Sequence, residues 1–127
     1  MNGGALYSIA MKTILNIGLA RNDGEPDNGI LHVVAKINQY GFIIRAGEIH
    51  EVTHAHGTER TLIAEVKYTR NEAYLPTAVY HLSQDLAQDC IAIANQSDNG
   101  VISGAIYGPK AAEWGEFDPR FFVGLSS

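Results

Sequence analysis

The pattern of apolar periodicities predicts an α+β domain: a ferredoxin-like βαββαβ sandwich with an extra C-terminal hairpin strand and an aromatic tail. Three observations predict it. Five segments of period two and two of period 3.6 follow one another in the order β-α-β-β-α-β-β. Asn99-Gly100 sits between the last two apolar runs and is a strong hairpin signal. Four of the nine residues from Trp114 to Phe122 are large aromatics, including the chain's single tryptophan.

Residues 13 to 20 place Leu15, Ile17 and Leu19 on one face of a strand. Arg21 to Gly29 is a polar loop, and Asp27 or Asn28 is expected to cap a helix whose apolar stripe is Ile30, Val33, Val34 and Ile37. Gly41 ends that helix as a C′ glycine would. Phe42 to Val52 reads as a second strand with a bulge at Gly47, and Thr53 to Glu59 as a His-rich turn region. Thr61 to Thr69 is a third strand, with Leu62, Ala64, Val66 and Tyr68 on one side and Thr61, Glu65, Lys67 and Thr69 on a solvated side. Leu75-Pro76 opens a second helix, because proline suits the first helical turn, and Val79, Leu82 and Leu86 form its buried stripe. Cys90 to Asn95 and Val101 to Tyr107 are the last two strands, and a short helical turn spans Ala111 to Trp114. Met1 to Ala10 is expected to be a poorly ordered leader, with Met11-Lys12 resembling a second start, so that 11–127 form a single domain.

Composition excludes several function classes. Net charge is -5, with 9 basic and 14 acidic residues and no cluster of Lys or Arg. Binding to nucleic acid or to an anionic membrane surface is therefore not expected. No apolar run approaches the ~20 residues that cross a bilayer. The lone cysteine, Cys90, makes no internal disulfide, which fits a reducing, cytoplasmic setting. Beside Asp89 and without a neighbouring base, it reads as a small buried hydrophobe.

Four groups of residues carry candidate chemistry. His50, His54 and His56, with Glu48, Glu51 and Glu59 nearby, could project imidazoles to one side of a hairpin. Without cysteine, an H-E-x-x-H helix or a second ligand pair, they read as a polar hairpin tip, and no metal and no cofactor is assigned. Asp23, Glu25 and Asp27 alternate as cation ligands would, but Val34 stands where an EF-hand needs its bidentate acid, so capping and dipole complementation explain them. His81, Asp85 and Asp89 lie four apart on one side of the second helix, spacing that suits acid–base work or an ordinary surface pair. No nucleophile elbow, phosphate loop or dinucleotide fingerprint is present, and no catalytic residue is assigned. The aromatic tail supplies the partner-binding candidates: Trp114, Phe117, Phe121 and Phe122, with the acids Glu113, Glu116 and Asp118. Four such rings are expected to be mostly buried, either as a flap on the chain's own sheet or against a protein partner, a second copy included.

The leading expectation is thus a small acidic, non-enzymatic protein-binding module, in its concrete form a phage-encoded inhibitor of a host defence protein complex. The first alternative is a dimeric ferredoxin-like small-molecule enzyme or ligand-binding protein using His or Asp as acid–base groups, with its pocket between the sheet and the helices and lined by His81 or His32. The second is a metal-binding protein built on the His50/His54/His56 hairpin. A flat exposed acidic or aromatic surface marks the first reading, a dry pocket the second and bound metal the third.

Overall fold

The computed structural model describes residues 11–54 and 56–126; the expectation for residues 1–10 lies outside the described residues. Strands β1 (Lys12–Gly18), β2 (Phe42–His54), β3 (Gly57–Tyr68), β4 (Ile91–Ser97) and β5 (Gly100–Tyr107) form one antiparallel sheet in the order β2-β3-β1-β4-β5. Helix α1 (Ile30–Gln39) connects β1 to β2, and α2 (Leu75–Asp85), entered through a 3-10 turn at Glu72–Tyr74, connects β3 to β4. A single helical turn, α3 (Ala111–Trp114), follows β5. No helix among the described residues is long and apolar enough to cross a membrane.

The sheet has a core on each face. Leu15, Ile17 and Leu19 point with Leu62, Ala64 and Val66 toward the two long helices, where Val33, Ile37, Val79, Leu82 and Leu86 meet them. Val79, Leu82 and Leu86 have no solvent exposure. On the opposite face Ile14, Val52, Ile63 and Ala94 form a second, smaller core with Phe122. As the central strand, β1 is buried on both sides, which is why Ile14 breaks the one-sided alternation read from the sequence.

Several local expectations are corrected. Gly29, not Asp27 or Asn28, occupies the position before α1, with no side-chain cap. The Asn28 carboxamide is used elsewhere: it donates to the Leu86 carbonyl at 2.8 Å and accepts from Arg21 at 3.0 Å. The bulge in β2 falls between Ile44 and Ala46, not at Gly47. The turn region assigned to Thr53–Glu59 is mostly strand, because β2 and β3 stay paired up to His54 and Gly57. Thr61, placed on a solvated face, is buried at the centre of the sheet opposite Gly18. Gly41 does adopt the left-handed conformation (φ +96°) that a C′ glycine supplies.

The tail crosses the face that the helices leave open. Phe117 lies against Gly104, where a Cβ would come within 2.5 Å of the ring. Asp118 to Phe121 turns, with the Phe121 N–H donating to the Asp118 carbonyl at 3.0 Å. The extended segment after it is held by side chains that imitate a neighbouring strand. Asn16 donates to the Val123 carbonyl (2.8 Å) and accepts from the Val123 N–H (2.9 Å). Gln96 accepts from the Leu125 N–H (3.1 Å), and Glu48 from the Ser126 N–H (2.7 Å).

Candidate functional site

Where the tail stops short of covering the sheet, a cleft of about 500 Å³ remains. Its floor is the end of β1 (Asn16, Gly18) with Thr61 and Val52, and one wall is the aromatic tail with Trp114, Phe117, Phe121 and Phe122. Another wall is a pair of loops, Ala20–Asn22 after β1 and Ala87–Cys90 after α2. The rim is formed by His54, His56 and Glu59 from the tip of the β2–β3 hairpin.

The two loops are tied to each other. Asn22 donates its backbone N–H to the Ala87 carbonyl (2.8 Å), and the Gln88 carboxamide donates to the Ala20 carbonyl (2.7 Å). Ala87 itself sits at φ +52°, the only non-glycine with positive φ among the described residues, a conformation costing an L-residue roughly 1–2 kcal/mol. That strain lies on the cleft wall, where the helix must turn sharply to bring Asp89 inward.

Of the four acids lining the cleft, Asp89 and Glu59 differ in their engagement. Asp89 is committed on both oxygens: Asn22 donates at 2.8 Å and the Trp114 indole N–H at 3.2 Å. The Asn22 hydrogen bond, seconded by Trp114 and opposed by partial burial, holds its carboxyl below the usual carboxylate range. Glu59 packs against Gly18, where a Cβ would fall 2.3 Å from its Oε1. His54 Nε2 lies 3.3 Å from that same oxygen. The tautomer of His54 follows from its other nitrogen: Nδ1 accepts the His56 backbone N–H at 3.1 Å, so the ring proton resides on Nε2 and is donated to Glu59. The other oxygen of Glu59 has no hydrogen-bond partner among the described residues, and Glu59 lines the cleft. Both imidazoles pack in tilted orientation against the Trp114 indole, His56 at 4.1 Å and His54 at 4.7 Å between ring centroids.

The cleft brings only part of the sequence candidates together. Phe122 is buried, Trp114 and Phe117 are half-buried, and Phe121 is 42% exposed at the mouth. Phe121 thus departs from the expected burial, because the turn at Asp118-Pro119 directs it outward. Glu113 and Glu116 are exposed, and Asp118 is engaged by the Arg120 guanidinium at 2.7 Å. His50 leaves the His cluster to pair with Glu48 at 3.0 Å. Among the described residues no three His, Cys, Asp or Glu side chains converge as metal ligands. The acid–base set on the second helix does not assemble either. Asp85 is bound by Lys36 of α1 and by Tyr40, the residue that follows α1, His81 bonds to Gln84, and the helix ends before Asp89. His81 faces a separate shallow groove with Tyr80 and Tyr107, and His32 lines neither depression. Burial, with Asp89 and Glu59 nearby, pushes the Cys90 thiol up to about 11, which keeps it protonated and unreactive.

Asn16, Gly18, Asn22 and Gln88 escaped sequence reasoning, and Glu59 entered it only as a neighbour of the histidines. One signal was present: Asn16 interrupts an apolar central strand, and a polar side chain there needs a specific partner.

No family model and no curated protein matches this chain. Two solved structures are similar to it. One is a phage SAM lyase in complex with S-methyl-5'-thioadenosine, 18% identical, covering 82% of this chain and 91% of its own, with a TM-score of 0.47. The other is a phage SAM lyase in the apo state, 14% identical, covering 77% and 88%, with a TM-score of 0.46.

The reading of the chain as a non-enzymatic inhibitor of a host defence complex is corrected. Its mark was a flat, exposed acidic or aromatic surface with no pocket; instead the tail closes the chain's own sheet and walls a cleft lined by carboxylates.

Proposed function

We propose that this chain is a small-molecule-binding protein of the enzyme type, with the cleft beneath the aromatic tail as its site and Glu59 as its acid–base group. The observation that carries the reading is the convergence of the Trp114 indole, the half-free Glu59 carboxylate and the saturated Asp89 carboxylate in one cleft of about 500 Å³, a size ordinary for small-molecule sites. The order β2-β3-β1-β4, with β1 and β2 both antiparallel to the β3 between them and both long helices on one face, supports a ferredoxin-like βαββαβ frame with β5 as the added hairpin strand.

The lining defines the ligand class. Its acids are Glu59, Asp89, Glu116 and Asp118, and its only Lys or Arg is Arg21, whose guanidinium is already taken by Asp23 and Asn28. A phosphorylated ligand would find no free cation there. A flat heteroaromatic ring carrying a positive charge would find the aromatic wall of Trp114 and Phe121 beside it and the Glu59 carboxylate for its charge. Such a charge also acidifies neighbouring C–H or N–H groups of the ligand, and Glu59, oriented by the His54 Nε2–H and braced on Gly18, is placed to take that proton.

The ligand named for the similar structure suggests the probes. S-Adenosylmethionine presents a purine ring and a sulfonium, S-methyl-5'-thioadenosine the same ring without the charge, and ATP the ring with phosphates. Trp114 is the only tryptophan, so its emission reports on the cleft alone. The expected result is saturable change with the first two, tighter for the sulfonium, and none with ATP. Absence of saturable change with all three, or preference for ATP, would overturn the reading.

A further inference from the structure

The two edges of the sheet differ in a way the cleft does not explain. Both edge strands carry a bulge, β2 beside Arg45 and β5 at Ile102, but only the β2 edge bears charge, on Arg45, Glu48 and Glu51 with the histidines along its length. Charged side chains along an edge are a usual means of keeping it from pairing with another chain. β5 has neither charge nor proline: Gly-Val-Ile-Ser-Gly-Ala-Ile-Tyr runs eight residues along the other edge. Among the described residues no strand lies beyond it. At its middle Ile102, the bulged residue opposite Asn95 and Gln96, is 55% exposed, and Ser103 and Gly104 are exposed with it. Along the helix side of this edge, Tyr80 of α2 and Tyr107 border the shallow groove, which also lacks Lys, Arg, Asp and Glu.

We infer that β5 is a self-association edge, to which a second copy of this chain adds its own β5 antiparallel about a two-fold axis, joining two sheets into one. The choice of occupant rests on charge. Each copy carries -5, so two copies approach at least cost where neither presents charge, and β5 with the adjoining groove is such a strip. An antiparallel strand edge is also self-complementary: under a two-fold, over the regular stretch Ser103 to Tyr107 beyond the bulge, each outward N–H meets an outward carbonyl of the identical strand, as an isologous contact requires. An acidic or basic partner would find nothing on this edge to read. Tyr80 and Ile102 would then be covered by the second copy.

The test is sedimentation velocity of the full chain over a dilution series, with hydrogen exchange of the β5 amides measured at each concentration. The expected result is a reversible monomer–dimer equilibrium in which protection of Ile102 to Ile106 grows with the dimer fraction. Ile102→Lys should give a monomer with an unchanged melting temperature, whereas Ile43→Lys on the β2 edge should leave the dimer intact. A wild-type monomer at every concentration would overturn the inference, as would β5 amides protected equally at all dilutions. So would a dimer that survives Ile102→Lys or is lost with Ile43→Lys. None of these outcomes depends on what the cleft binds.

Discussion

Replacing Asn16 with leucine isolates the device that holds the tail. Leucine matches asparagine closely in size, so no large cavity confuses the result, but it removes both hydrogen bonds to Val123 at 2.8 and 2.9 Å. Each such bond contributes about 1 kcal/mol net, and leaving the half-buried Val123 N–H and carbonyl without partners adds to that, for a loss of about 2–3 kcal/mol. The loss has a ceiling, because the tail can peel away and let water satisfy Val123; beyond that point the cost is only that of undocking Phe122 and its neighbours. At about 4 °C per kcal/mol for a domain of this size, the melting temperature should fall by roughly 8–12 °C. Circular dichroism measures the midpoint, and hydrogen exchange at Phe122 to Leu125 shows whether the segment has lifted. A midpoint within about 2 °C of the parent, with unchanged exchange in the tail, would refute the claim that Asn16 acts as a surrogate strand edge.

Leu82→Ala should cost about 2–5 kcal/mol, because Leu82 is fully enclosed between α2 and the sheet; a chemical-denaturation midpoint equal to the parent's would place the helical face wrongly. Gly18→Ala should displace Glu59 from His54, since the new Cβ would sit 2.3 Å from Oε1; the readout is loss of ligand-dependent Trp114 emission with little change in secondary structure, and intact binding would remove Glu59 from the site. Cys90 should resist thiol reagents in the native protein at pH 8. Its folded pKa is raised to about 11 from 9.0, so the stability its protonated form contributes is complete below pH 9 and is lost as pH rises toward 11; Cys90→Ala should flatten that alkaline decline in thermal midpoint.

The elements were legible because each rests on local chemistry. Pro76 at the start of α2, Gly41 after α1 and the buried stripe Val79-Leu82-Leu86 report on conformations decided within a turn or two of chain. The site was not legible, because its contacts join residues far apart in sequence. Asn22 reaches Asp89 across 67 residues and Asn16 reaches Val123 across 107. The misplaced features share a cause. Asn28 looks like a helix cap locally, yet bonding the Leu86 carbonyl closes a long loop and satisfies a buried group, so the tertiary use wins. Asp89 continues the spacing of His81 and Asp85, but α2 ends at Asp85 and the strained turn at Ala87 redirects the chain into the cleft. The aromatic tail drew attention for its composition, which could signal a flap or an anchor; only its amide-clamped path over Ile14, Ile63 and Ala94 shows what its rings do.

The most direct test of the central claim is a hydrogen-exchange footprint of the full chain with and without the saturating sulfonium probe. The account predicts new protection confined to the cleft walls, at Ala20 to Asn22, Ala87 to Asp89 and Trp114 to Phe121, and its loss in Glu59→Gln. Protection centred instead on the groove beside His81, or an unchanged footprint in a protein that nonetheless binds the probe, would contradict it.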